Sequence, residues 1–230
     1  MSRPLQAIVF DFDGVIANSE PLHLLAFQQA LAEDGVELSA TDYYSRYLGY
    51  DDVGMFEALG RDRGMPMESE RVTELVLRKG DRMQDLLRSG SVVFPGALEF
   101  IREAAAAVPI AIASGALRHE IDEILDAAGI ALLFKTIVAS GDTPESKPSP
   151  APYQLAFEQL RAETGELLDP RRIVAIEDSR WGLESARGAG LRCVGVTNSY
   201  PARALEGAAE LIVEGLGALT LAELDRLVAQ

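Results

Sequence analysis

Six short apolar runs recur along the chain: Ala7–Phe10, Ile110–Ala113, Ile137–Ala139, Ile173–Ile176, Cys193–Val196 and Leu211–Val213. They are rich in Ile and Val and show no polar alternation. That pattern predicts strands buried on both faces, as in a parallel sheet. Helix-period segments lie between them. Ile121, Ile124, Leu125 and Ala128 recur at three- and four-residue spacing before Gly129, which reads as a helix-ending glycine. Tyr153, Leu155, Ala156 and Leu160 form a second such face. Alternating strand and helix predicts an α/β fold built on a doubly wound, Rossmann-like parallel sheet.

One region breaks the alternation. Between about Ala17 and Ser89 no strand is predicted, while Leu22–Leu31, Tyr43–Leu48, Val53–Leu59 and Glu70–Leu87 all read as helices. The expected organisation is a core formed by residues 1–16 and 90–230, interrupted by a helical cap domain at 17–89. The chain returns to the sheet near Val92–Gly96, where Pro95-Gly96 precedes a new helix.

Composition narrows the partners. Acidic residues number 36 against 21 Lys plus Arg, a formal charge of −15, and the lysines are only Lys79, Lys135 and Lys147. This argues against a nucleic-acid binder, which needs a basic surface, and against anchoring on an acidic membrane. No apolar run approaches the roughly 20 residues that span a bilayer. The first residues lack the basic and apolar parts of a signal peptide. Cys193, the single cysteine, excludes an intrachain disulfide and a cysteine-cluster zinc site. A soluble cytoplasmic protein, monomeric or a weak homodimer, is expected.

Candidate chemistry sits at the ends of the predicted strands. The first runs into Asp11-Phe12-Asp13-Gly14-Val15. Acids two apart at a strand's carboxyl end point the same way, and open α/β sheets bind ligands at that edge. Adjacent carboxylates stay ionised only with a cation or shared proton between them, and Mg²⁺ suits such oxygen donors. An acidic turn is the plain alternative. The second strand ends in Ser114-Gly115, a hydroxyl before a helix, which fits a phosphate site or an ordinary N-cap. Lys147 lies in Lys147-Pro148-Ser149-Pro150, a stiff loop at a helix start, where its charge calls for a compensating anion. The fourth strand ends in Glu177-Asp178-Ser179, which could complete a metal shell with Asp11 or cap a helix.

In this order the four segments resemble the motifs of the haloacid dehalogenase superfamily. The resemblance covers nearly the whole chain, including Asn18–His23, Pro95-Gly96 and Gly182–Gly190. An insertion straight after the first motif is similar to the helical cap of its phosphoglycolate phosphatase and β-phosphoglucomutase branch. The resemblance implies that Asp11 is the nucleophile, forming an aspartyl-phosphate and ligating Mg²⁺ through its other oxygen. It implies that Asp13 is the general acid and base and that its carbonyl ligates Mg²⁺. Ser114 and Lys147 would hold the phosphoryl group, with Gly14 and Gly115 lining it. Asp178 would bind the metal directly, and Glu177 as a second ligand or through water. His23 and Lys79 match cap positions of the mutase.

The implied activity is a Mg²⁺-dependent phosphomonoesterase acting on a small phosphorylated metabolite, either a sugar phosphate or phosphoglycolate. The alternative is a β-phosphoglucomutase-like sugar phosphomutase, and a non-catalytic binding module on the same fold is a third reading. Against the mutase, Gly49 is followed by Tyr50-Asp51-Asp52 rather than by an arginine, and acids there would repel a second phosphate, though Arg46 could compensate. Asn18 stands where the family often has Asp. The absence of lysine from Ala17 to Asp62 argues against the family's Schiff-base phosphonate branch. Arg78 and Lys79 also fit a solvated helix face, His119 a helix surface, Trp181 helix packing or an interface, and Cys193 a small core hydrophobe.

Overall fold

A computed structural model describes residues 4–47, 50, 52–89, 92–165 and 167–230. The chain separates into two compact units, Met1–Asn18 with Ser91–Gln230, and Ser19–Gly90.

The first unit holds six strands: β1 Ala7–Phe10, β2 Ile110–Ala113, β3 Phe134–Val138, β4 Ile173–Glu177, β5 Arg192–Val196 and β6 Leu211–Val213. All pair in parallel, in the order β3-β2-β1-β4-β5-β6. Helices α1 Glu20–Ala32, α2 Ala40–Asp42, α3 Asp52–Asp62 and α4 Ser69–Ser89 lie in the second unit. Helices α5 Ala97–Ala107, α6 Arg118–Ala127, α7 Ala151–Thr164, α8 Arg180–Gly188, α9 Ala202–Leu205 and α10 Leu221–Val228 return to the first.

Alternation along the strands sorts side chains by size. Ala7, Val9, Ala111, Ala113, Ala175 and Cys193 share one core with Tyr153, Ala156 and Leu160 of α7 and Leu183 of α8. The small side chains let these helices sit close. On β1 the neighbours of opposite phase are larger. Phe10 meets Phe100 of α5 and Phe134 edge-on, each with centroids 6.2 Å apart. Strand β3 begins at Phe134, three residues earlier than its apolar run predicts, and it ends before Ala139. It lies at the sheet edge, where Lys135 is exposed, so its pattern is not that of a central strand.

The departure and return of the chain run side by side. Ala17 bridges Val93 in antiparallel fashion, the Asn18 N–H donates to the Val92 carbonyl at 2.7 Å, and the Phe94 N–H to Ile16 at 3.0 Å. An insertion of some seventy residues therefore leaves the sheet without distorting it.

In the second unit α1, α3 and α4 pack around Leu24, Phe27, Leu31, Phe56, Leu59 and Leu75. Phe27 and Phe56 meet edge-on at 5.2 Å. Helix α1 starts two residues before its apolar pattern, with Pro21 in its first turn, where proline is tolerated. The stretch expected as an ordinary helix from Tyr43 is a π-helix over Tyr43–Tyr47. Gly49 and Asp51, invoked against the mutase, lie outside the described residues. Among the described residues no helix is long and apolar enough to cross a membrane.

Candidate active site

Parallel pairing brings the carboxyl ends of β1 and β4 together, and with them Asp11 and the pair Glu177-Asp178. One oxygen from each of the three carboxyls lies within 4.8 Å of the others, and all three residues are buried. Lys147 reaches in from the loop before α7. Its Nζ lies 2.6 Å from Asp11 Oδ1 and 2.6 Å from Glu177 Oε1, and 5.1 Å from the centre of the Tyr153 ring. The Lys147-Pro148 peptide is cis.

Glu177 is the most thoroughly held of the acids. It is fully buried. Its Oε1 accepts from Lys147 and, at 3.3 Å, from the Tyr153 hydroxyl. Its Oε2 accepts from the Asp178 N–H, the Ser179 N–H and the Ser179 hydroxyl, each at 3.0 Å. Gly182, in the first turn of α8, must lack a side chain, because a Cβ there would lie 1.6 Å from Glu177 Oε1. Ser179 is the N-cap of α8 and accepts from the Gly182 N–H.

Charge is unbalanced at this edge, with three carboxylates facing one ammonium. Burial and the two neighbouring acids raise Asp11 well above the ordinary carboxylate value, against the pull of Lys147. Burial and Glu177 push Asp178 up to about 7. Burial also acts on Glu177, but Lys147 and its other donors outweigh it and hold the carboxyl ionised. Burial likewise opposes the charge of Lys147, and Asp11 and Glu177 overcome it, so the lysine stays protonated. A buried oxygen-donor cluster with excess negative charge fits a hard divalent cation, which would relieve the repulsion that raises Asp11 and Asp178.

Asp13 lies in the loop past β1, half-buried, where it bridges Ala17. Gly14 has φ +76°, and a Cβ there would come within 1.9 Å of Asp178 Oδ2, so this position requires glycine twice over. Ser114 is buried at the end of β2, the other neighbour of β1. It does not cap α6, which starts at Arg118 with Leu117 as N-cap; its hydroxyl instead accepts from the Ala116 N–H at 3.0 Å. A Cβ on Gly115 would meet open space. These residues all belong to the first unit.

His23 and Lys79 belong to the second unit and meet there. Lys79 Nζ lies 3.0 Å from His23 Nδ1, 2.9 Å from Asp52 Oδ1 and 5.2 Å from the centre of the Phe27 ring. At 1% exposure Lys79 is not on a solvated helix face. Arg78 is half-buried, donating to the Ala30 carbonyl and paired with Glu33, Asp34 and Glu74. Because Lys79 neutralises Asp52, that acid does not offer the free charge invoked against a second phosphate. Arg46 is committed to Asp62 at 2.6 Å.

Three residues escaped sequence reasoning. Tyr153 lies on a face of α7 read as purely apolar, yet its hydroxyl serves Glu177, while Leu155 of that face is only partly buried. Asn198 and Ser199 follow β5. The Asn198 side-chain amide donates to the Gly14 carbonyl at 2.7 Å, and the Ser199 Oγ lies beside the Asp178 carboxylate at Gly14. The polar run Thr197-Asn198-Ser199 after a buried strand was the available signal. Cys193 is buried, its thiol pushed up to about 12 by burial and Glu210. His119 is exposed, and Trp181 is 62% exposed.

Comparison with known proteins agrees with the fold. Residues 5–190 match the haloacid dehalogenase-like hydrolase family, and the chain belongs to that family of enzymes. The protein CbbY of Rhodobacter capsulatus is 33% identical over 208 residues, covering 85% of this chain and 87% of its own. A phosphoglycolate phosphatase of Pectobacterium atrosepticum is 28% identical over 197 residues, covering 85% and 82%. Crystal structures of CbbY from Rhodobacter sphaeroides, with phosphate and with xylulose-(1,5)bisphosphate, superpose with TM-scores of 0.82 and 0.81 at 28% identity, and each covers 96% of this chain and 99% of that one.

Proposed function

We propose that the protein is a Mg²⁺-dependent phosphomonoesterase acting on a small phosphorylated sugar or phosphoglycolate-type metabolite through an aspartyl-phosphate. The observation that carries this reading is Lys147, which stands 2.6 Å from both Asp11 and Glu177 beside a third buried acid. The phosphatase and CbbY relatives support the substrate class.

The Asp11 carboxylate attacks phosphorus, and the bond to the ester oxygen breaks. Asp13, protonated at the start, gives its proton to the departing oxygen. The same group, now ionised, takes a proton from water as that water attacks phosphorus, which frees Asp11 and inorganic phosphate. Lys147 and Ser114 hold the phosphoryl oxygens, Lys147 neutralising charge as it spreads over them, with Gly14 and Gly115 leaving room for the group. Asp11, Asp178 and the Asp13 carbonyl hold the cation. When bound, Mg²⁺ screens the nucleophile from the phosphate's charge and stabilises charge on the transferring group. Glu177, with both oxygens engaged by protein donors, holds Lys147 and the α8 turn, and reaches the metal through water. His23 and Lys79 contribute to substrate choice from the cap.

Purified protein with Mg²⁺ should release phosphate from members of a panel containing phosphoglycolate, hexose phosphates and xylulose 1,5-bisphosphate. Asp11→Asn should abolish that release. No release across the panel, or an active Asp11→Asn variant, would reject the reading. Formation of glucose 6-phosphate from β-glucose 1-phosphate in the presence of a bisphosphate primer would instead make it a mutase.

A further inference from the structure

We propose that Asn198 and Ser199, in the loop after β5, form a two-point clamp that positions the Asp13–Gly14 turn and Asp178. This rests on the phosphomonoesterase reading and adds two positioning residues to it. The loop starts from the sheet, where the Thr197 N–H donates to the Val213 carbonyl at 3.0 Å. From there it crosses towards β1. The Asn198 Nδ2 amide donates to the Gly14 carbonyl at 2.7 Å, across 184 residues of sequence. The Ser199 Oγ stands beside the Asp178 carboxylate, both facing Gly14, where the hydroxyl favours the ionised acid. Both Asp178 and Ser199 close over the Gly14 Cα, where an added Cβ would lie 1.9 Å from Asp178 Oδ2 and 2.7 Å from Ser199 Oγ. Three strand ends, β1, β4 and β5, are thus tied at one point.

The two contacts act on different groups. Gly14 follows Asp13 directly and its N–H closes a turn onto the Ala17 carbonyl at 2.8 Å, so a pinned Gly14 carbonyl limits how far Asp13 can drift. A drift of about 1 Å at a reacting group costs on the order of a hundredfold in rate. The Ser199 hydroxyl instead orients the oxygen pair of Asp178. Hydrogen-bond partners of metal-ligating carboxylates are worth about 10–100-fold in metal affinity. Neither side chain needs to touch substrate, so both are positioning residues, and their effects should separate.

The test compares Asn198→Asp, Ser199→Ala and Ser199→Thr with the wild type, using p-nitrophenyl phosphate turnover and Mg²⁺ titration calorimetry. Asn198→Asp keeps the shape and replaces the donor with an acceptor facing a carbonyl. It should lower kcat about tenfold or more even at saturating Mg²⁺, with KM within about twofold. Ser199→Ala should weaken Mg²⁺ binding by about tenfold, and its kcat should recover at saturating Mg²⁺. Ser199→Thr should restore the affinity. Wild-type kcat and Mg²⁺ affinity in both Asn198→Asp and Ser199→Ala would overturn the clamp, as would parallel losses of kcat, KM and melting temperature. Should the wild type release no phosphate, the reaction reading fails, and calorimetry on Ser199→Ala still decides the Asp178 contact.

Discussion

Asp178→Asn should make the metal-free protein more stable. Burial, then the charge of Glu177, lifts the Asp178 carboxyl from 3.8 to about 7. In the unfolded chain the group ionises near 3.8, whereas the fold resists ionisation until about 7. The unfolded state therefore binds fewer protons across this window, so stability is full below 3.8, falls as pH rises, and levels off above about 7. The whole displacement corresponds to about 4 kcal/mol at pH 8. An amide keeps the shape and carries no charge, although it pairs less well with Ser199, so the net gain should be about 2–4 kcal/mol. Chemical denaturation in EDTA at pH 8 measures it. At pH 4.5 the charge contribution should shrink to about 1 kcal/mol before the same pairing loss, because the wild-type carboxyl is then mostly protonated in the fold. Saturating Mg²⁺ should reverse the order, since it binds the native wild type and loses a ligand in the variant. A variant less stable than wild type at pH 8 in EDTA, or an equal gain at both pH values, would refute the reasoning.

His23 is held down to about 3 by burial and by Lys79, so its folded value lies below the ordinary 6.5 and the cap's stability is full above pH 6.5 and lost as pH falls. Amide hydrogen exchange of α1 and α4 should show about 2 kcal/mol less protection at pH 5 than at pH 7.5, and His23→Asn should flatten that dependence. Gly182→Ala drives a Cβ into a carboxylate held by five donors and should cost about 1–3 kcal/mol in denaturant titrations, together with most of the turnover; a neutral result would mean Glu177 is free to move. Tyr153→Phe removes one donor from Glu177 while keeping the ring under Lys147, so its loss should be about 1 kcal/mol, against several for Tyr153→Ala.

The legible parts of this molecule are those that one segment of chain decides alone. Central strands read correctly because both faces are buried and every side chain is apolar; β3 was displaced because an edge strand carries Lys135 into solvent. Asp11 and Glu177-Asp178 could be paired from sequence because each closes a buried run, and parallel register then brings the ends together. Tyr153, Asn198 and Ser199 were not legible in that way. A tyrosine at helical spacing reads as core, and its hydroxyl acquires meaning only when Glu177 is placed beneath it. The same holds for charges. Asp52 reads as a free acid in a run of acids, yet Lys79, nearly thirty residues later, cancels it inside the cap. The net charge of −15 therefore says little about what a phosphate meets. Of the three lysines, Lys135 is solvent-exposed on the edge strand, while Lys79 is buried against Asp52 and Lys147 is half-buried against Asp11 and Glu177. Lysine scarcity is the better guide, because two of the three lysines mark acids that the fold has drawn out of full solvent.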